Sequence, residues 1–479
     1  MSPPNVLLIC VDQWRGDALG CEGHPVVMTP HLDQLAGEGV RFTHAYSATP
    51  TCIPARAALY TGLSQTSTQR VGYQDGVPWD YPVTLGSEFT RHGYQTQAIG
   101  KLHVYPERSQ IGFQNVILHD GYLHFARKKP RDIGLVDDYI LWLREKTGDP
   151  RADYFDNGVN CNSQVARPWD KAEALHPSTW IVSEAQDFLR RRDTRKPFFL
   201  YLGFHRPHPP YDPPQWAFDQ YRDAPMPDPP VGDWVADVLD PLDDSWRADP
   251  NVARLSGRAL QRARAGYYGH ISHIDLLLNR FLETLGEYGL RQNTVVCFVS
   301  DHGEMLGDHH AFRKSLPYEG SARVPLLLSG PGIPRRKVVL EGVVELRDIL
   351  PTLLDAAGLP APEGIDGRSA LPLARGEITD WRPFLHGEHT SFGQSIHWLT
   401  DGRRKYVWWS GTGHEQLFDL TTDPQERRDI HASTVTARWR AHLIATLADR
   451  PEGFVAAGKL VPGRSVRPML QVSGQERSA

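Results

Sequence analysis

The run Val6-Leu7-Leu8-Ile9-Cys10-Val11 is apolar at every position and stops at Asp12-Gln13. A strand with one wet face alternates apolar and polar side chains, so a strand without alternation must be covered on both faces. Comparable runs recur at residues 197–203, 295–299 and 325–329, separated by stretches of helical length. Such a chain folds as an α/β sheet with helices on either side. Residues 267–285 place Ile271, Ile274, Leu277, Leu278, Phe281 and Leu285 at helical spacing, and residues 347–357 form a second helical pattern closed by Gly358 and Pro360.

Prolines crowd the chain between His205 and Pro250, which predicts little regular structure there. Core-like segments resume afterwards, so this stretch is a loop over one large domain. Residues 361–379 mark the better boundary. They divide a catalytic domain over 1–375 from a smaller C-terminal α+β subdomain over 376–479, with short strands at 397–399 and 405–409 and a helix over about 434–448. Alternation predicts that one of Trp408 and Trp409 is buried and the other exposed.

Lys+Arg number 52 against Asp+Glu 57, a net charge of -5, so no basic field invites nucleic acid or an anionic membrane. The five cysteines are scattered without a C-x-x-C pair, which excludes a thiolate zinc site and a disulfide framework. The first apolar run is too short to span a bilayer and lacks a basic leader, so the expected location is the cytoplasm.

Asp12-Gln13 follows one strand and Asp301-His302 follows another. In open α/β sheets ligands gather at the carboxyl ends of strands, and three oxygen donors with one nitrogen suit a hard cation, Ca²⁺ or Mg²⁺ ahead of Zn²⁺. Either pair alone would equally cap a helix or turn. In Thr51-Cys52-Ile53-Pro54-Ala55-Arg56, Pro54 suits a first helical turn and Gly62 its end, which puts Cys52 at a helix N-terminus. That position favours an anion or a nucleophile, whereas a lone cysteine elsewhere is usually a small buried hydrophobe. Arg56 lies one turn along on the same face. Lys101 and His103, two apart on an extended segment, would project to one side. Asp308, His309 and His310 fit either a substrate rim or a turn.

Cys52-Ile53-Pro54-Ala55-Arg56 resembles the C-x-P-x-R motif of formylglycine-dependent sulfatases, type I members of the alkaline-phosphatase-like superfamily. Ala55 stands where members usually have Ser, and Gln13 where many have Asp. Matching stretches follow in order at 5–16, 29–33, 100–103, 205–208, 300–308, 314–315 and 348–367. The resemblance implies a large mixed sheet sandwiched by helices, and oxidation of Cys52 to formylglycine by a formylglycine-generating enzyme. It implies one divalent cation, Ca²⁺ first with Mg²⁺ or Mn²⁺ as alternatives, held by Asp12, Gln13, Asp301, His302 and the modified Cys52. A hydroxyl of the hydrated aldehyde would attack sulfur, with Arg56 holding it. Lys101 and His103 would support formylglycine and the elimination that expels sulfate. His208 and Lys314 would bind the sulfate and assist the departing alcohol, His208 being preferred to His205 because it matches the family's Pro-His.

The implied substrate is a sulfate monoester of a small molecule or saccharide, a sugar or aryl sulfate, with a phosphonate or phosphate monoester as the alternative. Tyr122, Tyr154, Phe155, Arg167 and Trp169 would form the rim around the leaving group. Direct attack by a Cys52 thiolate with a histidine base is a different enzyme class that the residues alone leave open. No nucleic acid or membrane partner is implied, and a homo-oligomer is compatible.

Overall fold

The computed structural model describes residues 3–121, 133–255, 257–377 and 380–470. Tyr122 lies outside them. Among the described residues ten strands precede the C-terminal region: β1 (Asn5–Asp12), β2 (Val40–Phe42), β3 (Ala45–Tyr46), β4 (Gln95–Gly100), β5 (Asn115–Leu118), β6 (Phe198–Pro207), β7 (Thr294–Ser300), β8 (Leu326–Ser329), β9 (Lys337–Val339) and β10 (Val344–Glu345). Eight of them form one sheet in the order β5-β4-β6-β1-β7-β8-β2-β9, while β3 and β10 pair separately. The sheet is mixed. Strands β5, β4, β6, β1 and β7 run parallel, and β8 enters antiparallel to β7 and β2.

The alternation of β1 sets the layers. Leu7, Ile9 and Val11 pack on one face with the helices Pro177–Arg191 and Gly257–Glu287, while Val6, Leu8 and Cys10 pack on the other with the helices Cys52–Thr61 and Ile349–Ala356. Both faces are dry, as an unbroken apolar run requires. The ends of β4 and β6 approach so closely that a Cβ on Gly100 would sit 2.1 Å from the Gly203 carbonyl oxygen, and one on Gly203 2.1 Å from that of Lys101. Only glycines permit that approach, which delivers Lys101 to the sheet edge.

The proline-rich stretch is more regular than its composition suggests. Gln215–Arg222 forms a helix, because the prolines stop at Pro214 and resume only at Pro225. The helical pattern at 267–285 extends to Gly257–Glu287. In the C-terminal region four antiparallel strands form a second sheet, β11 (Leu385–Ser391), β12 (Gln394–Thr400), β13 (Arg404–Trp409) and β14 (Glu415–Asp419), with the helix Thr436–Leu447 behind it.

The expectation for the tryptophan pair is corrected, since Trp408 and Trp409 are both buried. They do point to opposite faces, but this sheet is covered on both. Trp409 joins Trp398, Tyr46, Trp234 and Tyr318 against the large domain, and Trp408 packs with Trp439, Leu443 and Phe454. No helix among the described residues is long and apolar enough to cross a membrane.

Candidate active site

Strands β4, β6, β1 and β7 are adjacent and parallel, so their carboxyl ends open at one edge and hand over Lys101, His208, Asp12 and Asp301-His302. The ends are tied together: His208 N donates to Asp12 O at 3.1 Å and Asp301 N to Val11 O at 3.1 Å. The helix Cys52–Thr61 starts at this edge and closes at Gly62, whose φ of 71° is the left-handed helix end that glycine favours. Cys52 Sγ lies 3.7 Å from Asp12 Oδ1 and 3.3 Å from His302 Nε2.

The ligand atoms of Asp12, Cys52, Asp301 and His302 all lie within 4.8 Å of one another, and all four residues are buried. His302 Nδ1 is 3.0 Å from the Gly303 carbonyl, which can only accept, so the neutral ring carries its proton on Nδ1. Its Nε2 lone pair therefore faces Asp12 Oδ1 at 3.5 Å and Asp301 Oδ1 at 3.6 Å. Lone pair against carboxylate oxygen needs a positive charge between them, so these donors fit a divalent cation.

Fixed cations surround the cluster. Arg56 Nε donates to Asp301 Oδ2 at 2.8 Å, its Nη2 is 3.5 Å from Asp12 Oδ2, and its Nη1 donates to Tyr201 Oη at 2.8 Å. Lys101 Nζ is 2.5 Å from Asp12 Oδ2. Burial alone would raise the pKa of Asp12, but Lys101, His208, His302 and Lys314 outweigh it and hold the carboxyl well below its usual range. The Cys52 thiol goes the other way: burial and the Asp12 charge push it up to about 11 against the pull of Lys314 and Lys101.

Burial, reinforced by Lys314, keeps His208 well below the usual histidine range. Its Nδ1 donates to the Pro209 carbonyl at 2.8 Å, which leaves Nε2 as the lone-pair nitrogen. His205 lies alongside, ring centroids 4.9 Å apart, with its Nδ1 accepting from Arg206 Nη1 at 2.5 Å. Lys314 Nζ donates to Gln13 Oε1 at 2.6 Å.

Two expectations need correction, the shared pleat of Lys101 and His103 and the aromatic rim, and the side chain of the expected ligand Gln13 is engaged by Lys314 and by the Glu304 carboxylate. Gln13 bonds Lys314 through Oε1 and Glu304 through Nε2, and its φ of 71° marks a left-handed turn directly after β1. Lys101 and His103 do not share a pleat, because β4 ends at Gly100 and His103 has a φ of 61°. Asp120 holds the backbone there, accepting from Leu102 N at 2.9 Å and His103 N at 2.8 Å, and the His103 ring sits 6.1 Å from Tyr73. In the expected rim, Tyr154 and Trp169 are core residues, and Arg167 Nη1 caps the Asn157 carbonyl at 2.6 Å. Asp308 and His309 serve a turn, paired with Arg15 at 2.6 Å and accepting from Gly232 N at 3.1 Å.

Two residues escaped the sequence reading. Glu304 is buried and accepts from Leu306 N at 2.8 Å and Arg313 N at 2.5 Å, fixing the loop that carries Lys314. Its place two residues after His302 was a usable signal. His389 comes from β11 and meets Thr51 Oγ1 at 2.9 Å, and no local pattern could announce it.

A family model described as Sulfatase matches residues 4–359, and one described as N-sulphoglucosamine sulphohydrolase, C-terminal, matches residues 307–452. An arylsulfatase of Clostridium perfringens (strain 13 / Type A) is 48% identical over 483 residues, covering 98% of this chain and 99% of the relative. A choline-sulfatase of Rhizobium meliloti (strain 1021) is 29% identical over 479 residues, covering 97% and 86%. Among solved structures, a phosphonate monoester hydrolase of Agrobacterium radiobacter superposes with a TM-score of 0.77 at 27% identity, covering 93% of this chain and 95% of the other.

Proposed function

Because the chain belongs to the sulfatase family and is a sulfuric ester hydrolase with the alkaline-phosphatase-like fold, we propose that Cys52 is its nucleophile position, active as formylglycine. The observation that carries this is the place of Cys52 Sγ, at the head of a helix, 3.3 Å from His302 Nε2 and 3.7 Å from Asp12 Oδ1. Asp12, Asp301 and His302 would hold the divalent cation, with Ca²⁺ favoured by the oxygen-rich set. Together the cation and the formylglycine hydrate would supply an activated oxygen nucleophile and draw charge from the sulfate.

The remaining roles belong to side chains already in place. Arg56, fixed by Asp301 and Tyr201, bridges the Asp301 and Asp12 carboxylates and, one helical turn beyond Cys52, would hold the nucleophile. Lys101 neutralises Asp12 and stands beside Cys52, placed to stabilise negative charge there. His208 and Lys314 border the same space from β6 and from the loop after β7. A sulfate ester's charge favours a second proton on His208, which then serves as the acid for the leaving alcohol. The base for elimination would be His103, a role supported by the matching motif Gly100-Lys101-Leu102-His103. The substrate class we propose is an aryl or sugar sulfate, in line with the similarity to the Clostridium perfringens arylsulfatase; the protein would act without nucleic acid or membrane, in the cytoplasm, after maturation by a formylglycine-generating enzyme.

The test is turnover of p-nitrophenyl sulfate by preparations whose aldehyde content at position 52 is measured by peptide mass. Activity should scale with aldehyde and vanish in Cys52→Ala. Full turnover from a quantitatively free thiol would refute the nucleophile, and activity surviving exhaustive chelation would refute the cation. Faster turnover of an aryl phosphonate than of the sulfate would move the assignment of the preferred ester.

A further inference from the structure

Threonine is favoured just before a helix because its hydroxyl accepts a hydrogen bond from the first turn. Thr51 occupies that position for the Cys52 helix, with φ -150° and ψ 153°, yet its side chain makes no such bond. Its Oγ1 lies instead 2.9 Å from Nε2 of His389, on β11. His389 is buried, and its Nδ1 has no partner among the described residues. The same stretch is clamped on both sides, since Glu388 N donates to Ala48 O at 2.8 Å and Ser315 N to Pro50 O at 3.0 Å.

The first turn of this helix has few donors. Ala55 N bonds Thr51 O at 3.1 Å, and Pro54 has no N–H, so the amides left over are those of Cys52 and Ile53. A hydroxyl cap from residue 51 would normally reach the second or third helical position. The third is Pro54, so a cap would take Ile53. An anion at this terminus and a capping hydroxyl therefore compete for one amide.

We infer that His389 is a positioning residue of the active site: by holding the Thr51 hydroxyl it keeps that group off the helix and leaves the Cys52 and Ile53 amides to the substrate's sulfate. The inference rests on the reading of Cys52 as the nucleophile position. It gives the C-terminal sheet a part in substrate binding from a residue that need not touch substrate.

The experiment uses the full chain carrying formylglycine at position 52, with p-nitrophenyl sulfate as substrate and inorganic sulfate as competing ligand. His389→Leu fills much of the same volume and removes the bond. KM and the inhibition constant for sulfate should both rise about fivefold, the factor that one capping bond represents, with a smaller change in kcat. Adding Thr51→Val removes the competing hydroxyl and should bring both constants back toward wild type. His389→Gln, which can still bond the hydroxyl, should stay near wild type, and so should Thr51→Val alone; these two keep the test decisive if His389→Leu does not fold. A rise in KM that Thr51→Val fails to reverse marks a merely structural histidine and overturns the inference. Cys52→Ala separates the two readings. If it retains turnover, the nucleophile assignment falls; if it is inactive while His389→Leu leaves both constants unchanged, only the role of His389 falls.

Discussion

Glu304 illustrates how a buried carboxylate shapes the site without touching the cation cluster. Every group it meets is a donor: Leu306 N, Arg313 N, Tyr211 Oη and Gln13 Nε2. Glu304→Gln replaces one acceptor with an amide donor that must face another donor, so at least one of these bonds is lost. A hydrogen bond to a charged group contributes about 1.5–3 kcal/mol, so kcat/KM should fall about 10- to 100-fold as Lys314 and Gln13 lose their setting. Steady-state kinetics on a variant with a native circular dichroism spectrum checks this, and unchanged kcat/KM would leave Glu304 no part in placing Lys314. At this scale Asp12, Asp301 and His302 were legible because strand ends deliver them, and Cys52 because Pro54 and Gly62 frame its helix. The side-chain directions of Gln13 and His103 were not legible, because both sit in left-handed turns, where pleat and strand-end geometry no longer predict direction. Alternation along a strand says nothing about the residue after it ends.

Among elements, the helix Pro30–Glu38 depends on a cap supplied by another helix. Thr29 precedes it but does not cap it, and Asp275, on the helix Gly257–Glu287, accepts from Leu32 N at 2.8 Å and His31 N at 3.2 Å. Burial, opposed by these two amides, raises the Asp275 carboxyl to about 7. An unfolded aspartate ionises near pH 4, so between about pH 4 and 7 the native state holds a proton that the unfolded chain has lost. The contribution of Asp275 is thus fully present below pH 4 and lost as pH rises through 7, with a slope of up to about 1.4 kcal/mol per unit. Urea unfolding at pH 4.5 and 7 should show a steeper decline for the wild type than for Asp275→Asn; equal declines would contradict the shift. The central strands were legible as apolar runs, whereas β11, with the sequence Leu385-His-Gly-Glu-His-Thr-Ser391, was not. Its polar side chains are buried by pairing, Glu388 with Nη1 and Nη2 of Arg450 at 2.6 and 2.9 Å and His389 with Thr51. Hydropathy does not register polar groups that become buried in this way.

For the molecule as a whole, the two faces of the C-terminal sheet have different duties, and the adjacent tryptophans on β13 separate them. Trp409 faces the large domain, where its Nε1 donates to Gln416 Oε1 at 3.1 Å, the atom that also accepts from Tyr318 Oη at 2.9 Å. Tyr318 follows Lys314 in the chain by four positions, so this face docks the sheet against the segment that carries a proposed catalytic group. Trp408 faces away, packed on the helix Thr436–Leu447 and Phe454. Truncating either to Ala removes a large buried side chain and should cost about 3–5 kcal/mol of stability. Their effects on the reaction should differ. Trp408→Ala loosens only the outer layer, so p-nitrophenyl sulfate kinetics well below its melting temperature should match the wild type. Trp409→Ala releases the docked face, and with it the registry of β11 that brings His389 to Thr51, so KM should rise as it does in His389→Leu. Thermal unfolding and kinetics on the two variants at one temperature make the comparison direct. Equal losses of kcat/KM in both would mean that the sheet acts on the site only through overall stability.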